Sequence, residues 1–178
     1  MEDITYHKRK LPHIQSDGMP NFITFRTNDS IDAYVKKITL SNLENKQKQY
    51  QIDNYLDNSK DGAYLNNTEL ALMKEILFEY DNILYELVCF AIMPNHIHLL
   101  VIPKDTLSNI MKRVKGKSAK ILNESLKKDG KFWAREYYDK VIRDEKQFEN
   151  SVRYILNNPL KVDLRDADDR VYSRFGLL

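Results

Sequence analysis

The sequence predicts an α+β protein of the ferredoxin-like kind, a four-stranded antiparallel sheet with helices packed on it. Three observations carry this. Residues 21–27 put Phe22 and Thr24 on one strand face and Ile23 and Phe25 on the other, and the apolar run 84–93 is joined to the hydrophobic run 96–102 by the turn signal Pro94-Asn95. Apolar residues recur at three- and four-residue spacing in the stretches between them and near the end of the chain. The resulting order, strand, helix, helix, strand, strand, helix, strand, helix, centres on a hairpin, as an antiparallel sheet requires.

At 178 residues and 21.1 kDa the chain fits one domain, 1–178, large enough to bury a core without disulfide or metal staples. Hydrophobic residues make up 42% and charged ones 30%, and no apolar segment approaches the roughly 20 residues of a membrane helix. The N-terminal MEDITYHKRK has no apolar signal segment and the single cysteine, Cys89, lies in an apolar run. A cytoplasmic location without membrane association is expected.

Taken in order, the chain opens on a basic arm over residues 1–20, with Lys8, Arg9 and Lys10 ahead of Pro12. Such an arm either tracks a phosphate backbone or is an unstructured terminus. Residues 21–27, NFITFRT, form the first strand, with Phe22 and Thr24 on one face and Ile23 and Phe25 on the other. Asp29 or Ser30 then caps a helix with Ile31, Tyr34, Val35 and Ile38 inward. Residues 47–67 are polar and read as a surface connection. A second helix follows, with Leu70, Met73, Leu77 and Tyr80 on one stripe, and then the hairpin.

Thr106 or Ser108 starts the next helix, which turns Ile110, Met111, Val114 and Leu122 inward. Its outer side is basic. Residues 111–131 hold eight basic side chains, Lys112, Arg113, Lys115 and Lys117 among them, against Glu124 and Asp129. That stripe is either a solvated face or a phosphate-binding surface, with Trp133 nearby as a stacking residue or a core one. Residues 137–143 form the fourth strand. Asp144 with Gln147 caps the last helix, whose apolar stripe is Phe148, Val152 and Ile155. Tyr154 and Asn158, one turn apart, share a flank of that stripe, and Pro159 is expected to put Asn158 at the helix end.

The hairpin carries the chemistry. In MPNHIHLLVIP, His96 and His98 are two apart on a strand and so present parallel imidazoles, while Ile97, Leu99 and Val101 face the other way. This is a two-point metal platform, although an H-x-H pair alone is more often two hydrogen-bonded histidines on a strand with no metal.

The block MPNHIHLLV, followed by FWAREYYDKVIRDEKQFENSVRYILNNPLKVDL and preceded by KRKLPHI and NFITFRTNDS, resembles the single-tyrosine HUH transposases, in their REP-associated tyrosine transposase branch. The resemblance covers most of the chain; the ending DDRVYSRFGLL departs from the family's tryptophan-containing one. It implies the HUH endonuclease fold, His96, His98 and Asn158 as ligands of Mg²⁺ or Mn²⁺, and Tyr154 as the nucleophile. It further implies nicking and strand transfer on single-stranded or hairpin DNA through a 5′-phosphotyrosine, by a monomer or homodimer. DNA contacts are expected from Lys8, Arg9, Lys10, Lys112, Arg113, Lys115, Lys117 and Trp133. The rival readings are a relaxase-like nickase and a non-catalytic nucleic-acid-binding module on the same sheet.

Overall fold

The computed structural model describes residues 18–176. Five strands, β1 (Asn21–Arg26), β2 (Tyr85–Ile92), β3 (His96–Pro103), β4 (Tyr138–Val141) and β5 (Val171–Ser173), form one sheet in the order β4-β1-β3-β2-β5, every pairing antiparallel. The α+β class is as the sequence predicts, with one strand more than the four expected. The addition is β5, whose three residues pair with the outer side of β2 through Cys89, Phe90 and Ala91. A strand so short has no readable alternation.

β3 lies in the middle of the sheet, paired with β1 on one side and β2 on the other. Its period of two divides the interior. On one face Ile23, Phe25, Ile97, Leu99 and Val101 pack with Leu70, Met73 and Leu77 of α3 (Asn67–Glu79) and with Ile110, Met111 and Val114 of α4 (Leu107–Leu126). On the other, Phe22, Leu100 and Ile102 pack with Phe148, Val152 and Ile155 of α5 (Glu145–Lys161). Burying each such aliphatic or aromatic side chain contributes about 1.5–3 kcal/mol, so a one-residue slip of β3 would reverse both interfaces.

Two helices stand apart from these layers. In α1 (Ala33–Thr39) and α2 (Asn45–Asn58), Val35, Ile38, Ile52 and Leu56 form a small cluster of their own. The sequence reads residues 47–67 as a connection, and the presence of α2 there is a correction. Its apolar contribution is small, and its remaining buried face, Gln49 and Asp53, is polar, so the usual stripe is missing. Helix α1 also begins later than expected. Asn28–Ser30 takes a tight 3-10 turn, and Asp32 supplies the cap by accepting from the Val35 amide at 3.0 Å.

Helix α5 continues through Pro159 to Lys161 instead of ending at Asn158. Proline there removes one hydrogen bond, to the Ile155 carbonyl, but only two residues of helix remain and Pro159 is itself buried with Leu156. Asn158 therefore stands inside the helix, pointing inward. Near the C-terminus, buried Arg170 donates to the carbonyls of Leu65 and Ile92 and to Asn66 and Asp166, fastening β5 beside β2. Among the described residues no helix is long and apolar enough to cross a membrane. The basic arm lies outside the described residues apart from residues 18–20.

Candidate metal and nucleophile site

The two histidines lie on the α5 side of β3, both fully buried. Their outer nitrogens are held by neighbours. His98 Nδ1 lies 2.8 Å from Thr24 Oγ1, directly across the β1–β3 register, and His96 Nδ1 lies 2.7 Å from Asn95 Oδ1. The Asn95 amide nitrogen donates to the Leu56 carbonyl at 3.0 Å and also faces those of Ser59 and Asp61. That arrangement fixes the amide oxygen toward His96, so His96 Nδ1 carries the proton and Nε2 keeps its lone pair.

The inner nitrogens converge, with His96 Nε2 and His98 Nε2 3.1 Å apart. Two ligands at about 2.1 Å and near a right angle at one ion lie about 3.0 Å from each other, so the spacing fits a shared divalent cation. A carboxylate completes a triad: Asp53 of α2 has an oxygen within 4.8 Å of ligand nitrogens of both histidines. Farther along the same face of α2, Asp57 brings Oδ1 to 3.6 Å from His96 Nε2, and neither of its buried oxygens has a hydrogen bond among the described residues.

Tyr154 of α5 enters from the other side. Its ring stands edge-on to His98 at 5.3 Å between centroids and to Phe22 at 5.9 Å, and its hydroxyl donates to Asp53 Oδ2 at 2.9 Å. Gln49 donates to the other Asp53 oxygen. Asn158, one turn on, is buried with both amide atoms lacking a hydrogen-bond partner among the described residues. A buried amide left unpaired costs about 1–3 kcal/mol, a cost that a ligand at this position would relieve. Outside Tyr154 a groove of about 350 Å³ is lined by Asn150, Arg153, Asn157, Asn158 and Lys161.

Burial dominates the electrostatics. It drops the His98 imidazole to about 3, with Lys161 adding to the effect, and holds His96 well below the usual histidine range, helped by His98 and Arg26. Both rings are thus neutral, the form that ligates metals. Burial raises Asp53 to about 7 against the pull of the Tyr154 hydrogen bond, and raises Asp57 to about 6 against the nearby Lys161. The Tyr154 phenol is pushed up by burial and then by Asp53. Without added positive charge the site disfavours a phenolate, and a cation bound among these groups would reverse each of these biases except the histidines'.

The remaining sequence-predicted residues lie elsewhere. Helix α4 packs on the opposite face of the sheet, so Lys112, Arg113, Lys115 and Lys117 do not join the histidines and Tyr154. Lys115 donates to the Ala134 and Arg135 carbonyls, Lys117 pairs with Glu79, and the Arg113 guanidinium sits 5.7 Å above the Tyr80 ring. Trp133 is buried, packs against Phe25 and donates its indole N–H to Ser118 at 2.8 Å, leaving no open face for a base. Its reading as a DNA-stacking residue is therefore corrected to a core one. Lys8, Arg9 and Lys10 lie outside the described residues.

Sequence reasoning missed Thr24, Gln49, Asp53 and Asp57. The last three recur every four residues, a polar stripe beside Ile52 and Leu56, which was the available signal.

The model of the family described as "Transposase IS200 like" matches residues 62–158, more than half of the chain. The chain belongs to the IS200-like transposase family. The matched span includes both histidines, Tyr154 and Asn158, while Asp53 and Asp57 precede it. No curated protein matches the chain. Among solved structures, this transposase is similar to a REP-associated tyrosine transposase bound to a REP hairpin, at 16% identity, 90% coverage of this chain and 78% of that one, with a TM-score of 0.51. It is also similar to a candidate transposase from Deinococcus radiodurans, at 17% identity, 85% and 97% coverage and a TM-score of 0.48. The first of these likenesses supports the fold of the transposase chain.

Proposed function

We propose that the chain is a single-domain, metal-dependent DNA strand transferase that nicks single-stranded DNA through Tyr154. The observation that carries this reading is the meeting of three things in one buried place: a tyrosine hydroxyl on Asp53, a converging histidine pair, and an unpaired Asn158 amide. His96 and His98, with Asn158 and the Asp53 carboxylate as oxygen donors, would hold Mg²⁺ or Mn²⁺; the mixed nitrogen and oxygen set favours Mn²⁺. When bound, such an ion polarises the phosphate and stabilises the leaving oxygen.

The chain's own groups account for the rest. Tyr154 Oη attacks phosphorus, the bond to the 3′-oxygen breaks, and the 5′-phosphate becomes linked to the tyrosine. The phenol proton already has an acceptor in Asp53 Oδ2, and the departing 3′-oxygen takes a proton from solvent to leave as a hydroxyl. Because the phosphotyrosine retains the energy of the original linkage, a 3′-hydroxyl of another strand can attack it and reseal without an external energy source. Phe22 and His98 confine the phenol ring, so the nucleophile loses little conformational freedom on substrate binding.

The substrate class follows from the same reading. The groove beside Tyr154 carries Arg153 and Lys161, suited to a single strand's phosphates, and hairpin or palindromic repeat sites are the proposed targets, in keeping with the hairpin on the structural neighbour. The α4 stripe and the basic arm are proposed to contact DNA outside the cleaved strand segment. The protein would act as a monomer or homodimer in the cytoplasm. Incubating labelled single-stranded repeat DNA with the protein and Mn²⁺ tests the reading: a nick leaving a free 3′-hydroxyl and a protein-blocked 5′ end is expected. A nick leaving a free 5′-phosphate would instead mean hydrolysis and overturn it.

A further inference from the structure

Arg26 ends β1 directly opposite His96 in the β1–β3 register. Alternation along the strand sends its side chain to the same face as Phe22 and Thr24, the face that carries the histidines. Its Nε is fully buried with no hydrogen-bond partner, and its guanidinium forms no hydrogen bond or ion pair among the described residues. Other arginines of this fold are engaged, the buried Arg170 and the exposed Arg174 alike. Arg170 spends its donors on Asp166, Asn66 and two carbonyls, and Arg174 on the Leu87 carbonyl and Asp81. The anionic charge felt by Arg26 is that of Asp53, but no hydrogen bond or ion pair joins the two among the described residues. Arg26 is half-buried, so its terminal nitrogens stay within reach of an incoming anion, while the buried, unpaired Nε carries a cost that an anion would relieve.

We propose that Arg26 is a phosphate-binding residue of this site, its unmet guanidinium donors taking a non-bridging oxygen of the DNA phosphodiester placed beside His96 and His98. The inference rests on the proposed function, since it names what holds the phosphate for Tyr154. A guanidinium suits the task because its planar fork donates two parallel N–H bonds to one phosphate and stays charged when desolvated. Charge building on the non-bridging oxygens during attack would be met by a group already in place. Arg153 and Lys161, exposed in the groove, would then meet the flanking phosphates, Lys161 in exchange for its bond to Asn54.

The probe is the dinucleoside monophosphate dTpdT, with its neutral methylphosphonate analogue as control, added to the full-length chain with Mn²⁺ kept below the protein concentration. Binding near the ion is read as paramagnetic relaxation of the ³¹P signal. Arg26→Ala is expected to weaken dTpdT binding about tenfold. Arg26→Lys should restore part of the loss, and the methylphosphonate should be bound equally by all three proteins. Relaxation of dTpdT that is unchanged in Arg26→Ala, or an equal loss for both probes, overturns the assignment of Arg26 and leaves the proposed function standing. Absence of any protein-dependent relaxation with Arg26 intact removes the phosphodiester from the metal site, and both readings fall. Should the alanine variant not fold, Arg26→Gln against Arg26→Lys supplies the same comparison.

Discussion

At the scale of single residues, the site depends on side chains that touch no substrate. Thr24 and Asn95 hold the outer nitrogens of the histidines so that the inner ones converge. Saturating Mn²⁺ at about 100 times its dissociation constant would stabilise the fold by about 2.7 kcal/mol, or about 5–10 °C in Tm for a chain of this size. His96→Ala is expected to abolish that shift and Thr24→Val to weaken Mn²⁺ affinity about 10- to 100-fold, both read by thermal melts across a Mn²⁺ series. A full shift in His96→Ala would remove the metal from this pair.

The same residues set opposing responses to acid when divalent ions are chelated. The histidines are depressed in the folded state, so the unfolded chain binds more protons below about 6.5 and stability falls as pH drops through that window toward about 3. Asp53 is raised to about 7, so here the folded chain binds more protons, and stability rises as pH falls from about 7 toward the unfolded carboxylate value. Asp57, raised to about 6, adds to the Asp53 trend, and together the carboxylates offset the histidines in the wild type. Asp53→Asn removes the Asp53 part and should lose stability more steeply between about pH 6.5 and 4 in urea titrations; an unchanged slope would mean that Asp53 is not held protonated there.

At the scale of elements, legibility in the sequence followed the origin of each element's stability. α4 and α5 bury apolar stripes against the sheet, so their period of 3.6 is visible in the chain, and β3, buried on both faces, shows as an apolar run. α2 could not be read that way, because beside Ile52 and Leu56 it carries the polar stripe Gln49, Asp53 and Asp57, of which Asp53 and Asp57 meet Tyr154 and Lys161 of α5. β5 is too short to show a period. The charge stripe of α4 was plain in the sequence, but which face of the sheet it occupies depends on chain topology, which no local pattern encodes. Charge reversal separates the two basic surfaces. Arg153→Glu with Lys161→Glu should weaken single-stranded DNA binding more than Lys112→Glu with Arg113→Glu, and should reduce the salt slope by about 0.7 for each phosphate no longer neutralised. The opposite ranking, measured by anisotropy over a salt series, would move the cleaved strand to the α4 side.

At the scale of the whole molecule, the sheet separates two tasks. Its α3–α4 face holds the larger apolar cluster, including Trp133, while the α5 face gives up part of its packing to a polar site between β3, α2 and α5. Of that candidate site, the histidines, Tyr154 and Asn158 were singled out by the family resemblance, since spacing alone favoured ordinary packing. Arg26 and Thr24 were not, since only the β1–β3 register brings them beside the histidines. The mechanism stands or falls with Tyr154 as the group that takes the DNA. Peptide mapping by mass spectrometry of the covalent complex formed with single-stranded repeat DNA and Mn²⁺ decides this. The nucleotide mass is expected on the peptide containing Tyr154, with no complex from a folded, DNA-binding Tyr154→Phe protein. Nucleotide on Tyr137, Tyr138 or Tyr172, or a complex that persists in the phenylalanine variant, would contradict it.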